Sequence, residues 1–210
     1  MDEHGPSPAL CRSRSAPLPE KAPSRTKTRS TGTLFCWGDN SNGQLGTGTA
    51  LVSSDTPVAV SATGNFVALS AGAYHTCALD NVGAAVCWGA DYAGQTGSAS
   101  EGSIANTAQA VGGGSYSRIS VGAFHSCAIT AAGATFCWGG SSESGGTSSS
   151  SPTAIASGLV MRSITSGDRH TCGIASDGES YCWGSNVFGT LGNELQAAFR
   201  TTPQKVALPR

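Results

Sequence analysis

The stretch from Ser70 to Gly97 recurs along the chain, and a fixed recurrence restricts the architecture before any single residue is read. Ser70-Ala71-Gly72-Ala73-Tyr74-His75-Thr76-Cys77-Ala78-Leu79 aligns with Ser120-Val121-Gly122-Ala123-Phe124-His125-Ser126-Cys127-Ala128-Ile129 and with Thr165-Ser166-Gly167-Asp168-Arg169-His170-Thr171-Cys172-Gly173-Ile174, at offsets of 50 and 45 residues. Ten residues after each first cysteine stands a Cys-Trp-Gly triplet, at Cys87, Cys137 and Cys182, with an orphan copy at Cys36-Trp37-Gly38. A Gly-x-x-Gly turn follows at Gly43, Gly94 and Gly189, and is worn down at Gly145-Gly146-Thr147.

Each unit folds as an antiparallel hairpin. With Cys77 opposite Cys87, Ala78 meets Val86, Leu79 meets Ala85 and Asp80 meets Ala84, leaving Asn81-Val82-Gly83 as the loop. The same exercise leaves Ala131-Ala132-Gly133 and Ser176-Asp177-Gly178. Glycine falls third each time, where a type I turn with a bulge needs a left-handed residue. One face of the hairpin carries Cys77, Leu79, Ala85 and Cys87, the other Ala78, Val86 and Trp88, so both faces must be covered. Sheets buried on both sides and repeated at this spacing predict an all-β propeller of stacked blades, with Trp88, Trp138 and Trp183 between blades.

The series Gly-x-x-His-[Ser/Thr]-x-Ala-Leu, then a turn ending in Gly, then Trp-Gly, Gly-Gln-Leu-Gly and Pro-x-x-Val resembles the repeats of the regulator of chromosome condensation. It spans about residues 31 to 208, including Pro57-Val58-Ala59-Val60, the proline-less Ala108-Gln109-Ala110-Val111, Pro152-Thr153-Ala154-Ile155 and Pro203-Gln204-Lys205-Val206. The resemblance implies a β-propeller, usually of seven blades, serving as a rigid interaction platform. A cysteine pair in each hairpin is similar to secreted bacterial members and to the repeat ectodomains of some plant receptor kinases. Three complete hairpins and two partial units make the expected propeller incomplete, an open arc or one completed by a second chain.

Cross-strand register predicts disulfides Cys77 to Cys87, Cys127 to Cys137 and Cys172 to Cys182, since directly opposed residues lie about 4.5 to 5.5 Å apart at Cα. Such bonds want an oxidising compartment, extracellular or periplasmic. Cys11 and Cys36 are expected to be free. The partner position of Cys36 falls on Thr26, so the first hairpin reads as lacking its first strand, with Trp37 at a frayed edge and the start truncated.

Residues 1–30 form a Pro-rich basic tail, expected to be disordered, and residues 31–210 form the repeat domain. The tail holds six basic against three acidic residues, leaving six against ten for the rest. A solvated extension is favoured over a nucleic-acid contact. The tail has no apolar core of a secretory leader, and no run approaches a membrane span. With 39% apolar and 12% charged residues and 29 glycines, stability must come from many short strands.

His75, His125 and His170 with their cysteines invite a zinc reading. Two cross-strand cysteines and one histidine supply only three ligands, and a residue recurring in every repeat reads as a bridge between strands or blades. No nucleophile elbow, phosphate loop or isolated carboxylate pair is present, so neither an enzyme nor a cofactor is expected. What differs between repeats is where specificity can sit: Tyr74, Phe124 and Arg169 just before the histidine, and Asp91-Tyr92 and Val187-Phe188 after the Trp-Gly. Aromatic and Arg residues are common anchors of protein contacts. The reading is a noncatalytic, extracytoplasmic module binding a protein or surface polymer and able to self-associate through its blade edges. The alternatives are guanine-nucleotide exchange on a small GTPase, which the resemblance allows, and a fragment of a larger repeat protein.

Overall fold

The computed structural model describes residues 10–14, for which only the backbone is discussed, and residues 33–49, 52–98, 102–140, 149–155, 157–194 and 198–207. Among them every regular element is a strand, and the strands make four antiparallel sheets. The first sheet has three strands, β1 (Leu10–Arg14), β2 (Thr33–Gly38) and β3 (Ser54–Ala59). The second has four in chain order, β4 (Phe66–Ala71), β5 (His75–Asp80), β6 (Ala85–Ala90) and β7 (Ile104–Val111). The third repeats this with β8 (Arg118–Val121), β9 (His125–Ile129), β10 (Thr135–Gly139) and β11 (Ser149–Ala154). The fourth is β12 (Met161–Ser166), β13 (His170–Ala175), β14 (Ser180–Ser185) and β15 (Phe199–Lys205).

The middle pair of each full sheet is the expected hairpin. Cys77 lies opposite Cys87, Ala78 opposite Val86 and Leu79 opposite Ala85, and the third and fourth sheets repeat the register. Gly83, Gly133 and Gly178 hold φ of 85°, 82° and 85°, the left-handed turn residues. The glycine of Cys-Trp-Gly has a separate reason. At Gly89 (φ 108°) the pairing of β6 with β7 shifts register, and a Cβ there would stand 2.6 Å from the Tyr74 carbonyl oxygen. The triplet is therefore a strand with a bulge that only glycine accommodates.

Each hairpin is covered on both faces. The cysteine face of the second blade (Cys77, Leu79, Ala85, Cys87) packs on Tyr116, Val121, Ala128 and Trp138 of the third. Leu34, Cys36 and Leu45 of the first pack on Phe66, Ala78 and Trp88 of the second, and Cys127, Ile129 and Cys137 of the third on Met161 and Trp183 of the fourth. Trp88, Trp138 and Trp183 are fully buried between blades, whereas Trp37, on the open face of the first blade, is half-buried. The strands β4, β8 and β12 neighbour one another, so they form the inner row of an arc of blades.

Three expectations are corrected. The first hairpin does have a first strand: β1, from inside the segment expected to lack structure, pairs with β2 and sets Cys11 opposite Cys36. The rest of that segment lies outside the described residues. Cys36 is disulfide-bonded rather than free. The Cys11 side chain, also expected free, lies outside the described residues. Finally, the strand at Pro203 is not a partial unit of its own; β15 pairs with β14 and completes the fourth blade. The two partial units thus resolve into the three-stranded first sheet and the last strand of the fourth. Among the described residues the first and last blades do not pair, and the sheets form an open arc.

Candidate functional site

The inner strands converge so tightly at one end that side chains do not fit between them. A Cβ on Gly72 would meet the Gly122 carbonyl oxygen, and one on Gly122 would stand 2.6 Å from the Gly167 carbonyl oxygen. Glycine at these positions draws successive two-residue loops together, and the Ala123 amide donates to the Asp168 carbonyl at 3.1 Å. The residue before each histidine is thereby stacked on its neighbour. The Tyr74 and Phe124 ring centroids lie 5.2 Å apart with planes inclined 36°, and the Arg169 guanidinium lies 5.4 Å from the Phe124 centroid. Tyr74, Phe124 and Arg169 form one continuous row across three blades. A solvent-exposed cation such as Arg169 over a ring contributes about 0.5 to 1 kcal/mol. The neighbouring Arg169–Asp168 ion pair, at 3.7 Å and well exposed, contributes little.

The second variable column lies at the same end. The Ala90 amide donates to the Tyr74 carbonyl and the Ser185 amide to the Arg169 carbonyl, placing the following turns beside the row. Tyr92 is 55% exposed and its hydroxyl donates to Asn42 Oδ1 at 3.3 Å; Phe188 is 90% exposed, and Val187 beside it is also exposed. Asp91 leaves the candidate set. It is buried, and its Oδ1 accepts from the Thr96 amide at 2.9 Å, the turn-closing role that Asn40 has toward Leu45 and Asn186 toward Leu191.

The histidines lie beneath this surface as bridges between blades, as expected for two of them. His75 Nε2 lies 2.8 Å from Ser126 Oγ of the next blade, and His125 Nε2 lies 2.8 Å from Thr171 Oγ1 of the blade after. Ser126 Oγ donates its proton to the Gln95 carbonyl at 3.0 Å, so His75 Nε2 is the donor toward Ser126. Burial pushes His75 down to about 3 and His125 to about 4; the next histidine in the row adds to each shift, and the Ala123 backbone opposes that of His75 only weakly. The zinc reading loses its ligands, because the facing thiols are joined as Cys77–Cys87, Cys127–Cys137 and Cys172–Cys182, with Cα separations of 4.1, 4.1 and 4.0 Å. These are the close cross-strand pairs of an antiparallel ladder.

Sequence reasoning missed the glutamine of the Gly-x-x-Gly turn. Gln44 and Gln95 are buried, and their side-chain Oε1 atoms accept from the Asn42 and Ala93 amides at 2.8 Å, holding a turn whose Gln44 backbone carbonyl accepts from Trp88 Nε1 at 2.9 Å and from Thr76 Oγ1 at 3.1 Å of the next blade. The repeated Gly-Gln was the available signal, but it was read as a turn alone.

Residues 31–79 match the repeat described as Regulator of chromosome condensation (RCC1) repeat, and residues 66–95 and 161–190 match a second model of the same description. The chain belongs to this repeat family. Among solved structures it is similar to Prp20p from Saccharomyces cerevisiae, with 19% identity over 85% of this chain and 47% of that one and a TM-score of 0.76. It is also similar to human WBSCR16, with 20% identity over 85% and 49% and a TM-score of 0.75. These two likenesses show the fold. The ectodomain of the receptor kinase CR4 from Physcomitrella patens is 30% identical over 73% of this chain and 36% of that one, with a TM-score of 0.50. The chain spans about half the length of the first two. No curated protein matches its sequence. Among the described residues no helix is long and apolar enough to cross a membrane.

Proposed function

We propose that the chain is a noncatalytic, extracytoplasmic interaction module that holds a protein partner on the loop face bearing Tyr74, Phe124, Arg169, Tyr92 and Phe188. The observation that supports this most is the stacked row Tyr74–Phe124–Arg169, since aromatic and Arg side chains held rigidly at a surface are what interface anchors are made of. The hairpin disulfides favour an oxidising compartment, and the likeness to a receptor-kinase ectodomain points the same way. The binding of Prp20p to Gsp1p and histones, and of yeast Prp20 to Kap60, favours a protein ligand for this scaffold.

The test is a panel of secreted proteins and surface polysaccharides presented to the immobilised, oxidised chain. A protein bound by the wild type and weakened about thirtyfold by Phe124→Ala or Arg169→Ala, with melting unchanged, supports the reading; this is the scale of an interface hot spot. Equal binding by all variants moves the site elsewhere, and a polysaccharide ligand changes its class. Acceleration of nucleotide release from a small GTPase would replace the reading with the exchange activity.

A further inference from the structure

Each seam between blades is built from a knob and a hole. The hole is the Gly-x-x-Gly turn: a Cβ on Gly46 would stand 2.7 Å from the Trp88 ring, and one on Gly97 2.8 Å from Trp138 Nε1. The first glycine of the turn receives the outer strand of the next blade. Gly43 would meet Ile104 and Asn106 at 2.7 Å, and Gly94 would meet Ser150. The fourth blade has the same turn with nothing seated in it among the described residues, since Gly189 meets nothing within 4 Å and Gly192 only Val206 of its own blade. Its cysteine face is uncovered as well: Ile174 is 47% exposed where Leu79 is 1% and Ile129 2%. At the other end Trp37 is the knob without a hole, half-buried where its three counterparts are sealed. The open arc keeps this knob and this hole apart.

We propose that Trp37 of one copy seats on the Gly189–Gly192 turn of a second copy, so that two arcs associate head to tail through a seam that continues the internal ones. The contact is heterologous, and two arcs that each span about half the length of propeller relatives can close on one another. The seam is weaker than the internal seams for a reason in the register. Leu10 stands opposite Trp37 where Thr76, Ser126 and Thr171 stand opposite Trp88, Trp138 and Trp183. The sequence column that supplies Ser126 and Thr171 to His75 and His125 thus holds a leucine in the first blade. Arg12 likewise occupies the register position of Ala78, Ala128 and Gly173. Association is accordingly concentration-dependent.

Sedimentation velocity on the oxidised full chain across the micromolar to millimolar range tests this, with expected dimers dissociating on dilution. Trp37→Ala weakens association at least about tenfold. Gly189→Asn does the same, because asparagine tolerates the left-handed backbone and fills the hole without touching its own blade. Gly189→Asn leaves the monomer's melting unchanged, and Trp37→Ala lowers it far less than loss of a sealed tryptophan would. A mixture of the two recovers association that neither shows alone, since one copy keeps the hole and the other the knob, and Leu10→Thr tightens the wild-type dimer. A monomer at every concentration, a dimer indifferent to both variants, or a mixture that does not complement would each overturn the proposal.

Discussion

Acid should open the seams between blades, because two of them are bridged by histidines that must stay neutral. His75 and His125 are buried, with pKa values pushed from 6.5 to about 3 and about 4. In the unfolded chain both recover the ordinary value, so between the folded and unfolded values the unfolded state binds more protons. Stability is then complete above about pH 6.5 and falls as pH drops, by about 1.4 kcal/mol per pH unit for each histidine. At about pH 4.5 the loss is about 2.5 kcal/mol per histidine and roughly 5 kcal/mol for the pair, comparable to the whole stability of many domains. Asp39 and Asp177 are held below the usual carboxylate value, so what they contribute is lost only at lower pH, which keeps them out of this window. Asp39 owes its shift to hydrogen bonds from Ser41, Ser53 and Gln44 that outweigh its partial burial. The assay is urea unfolding at neutral pH and at about pH 4.5, disulfides intact, for the wild type and for the His75→Gln/His125→Gln double variant. The variant keeps a donor toward Ser126 and Thr171 but cannot titrate, and its stability should be nearly flat over the interval. Parallel losses in the two proteins would refute the assignment of the acid sensitivity to these bridges.

Truncating Trp88 or Trp138 to alanine should cost about 3 to 5 kcal/mol, and Trp37→Ala in the monomer well under half of that, by urea titration. Asp91→Asn should be nearly neutral because Asn40 and Asn186 do the same work, whereas Asp91→Ala should cost about 1 to 3 kcal/mol by leaving the Thr96 amide unpaired. Native thiol reduction should be slow, since Cys77, Cys87, Cys127 and Cys137 are sealed at the seams, and the exposed face of the fourth blade should let Cys172–Cys182 go first in timed alkylation.

The hairpins, their disulfides and the buried tryptophans were legible because each depends on residues ten apart or fewer, repeated three times over. The pairing of β1 with β2 was not, since the segment 15–32 separates strands that elsewhere are joined by a tight turn, and the ten-residue spacing pointed to Thr26 instead of Cys11. The variable columns could be named from the alignment. That Tyr74, Phe124 and Arg169 touch depends on how closely Gly72, Gly122 and Gly167 bring three strands together, and no single repeat contains that distance. Asp91 was misjudged because its column varies in charge while its turn-closing oxygen does not; Asn40 and Asn186 in the same place carried the signal.

The stapling of the blades across their central hairpins stands or falls on non-reducing peptide mapping of the chain folded under oxidising conditions. The account predicts the pairs Cys77–Cys87, Cys127–Cys137 and Cys172–Cys182, together with a fourth linking Cys36 to the peptide that carries Cys11. A free thiol at Cys36, or any pair joining cysteines of different blades, would contradict it.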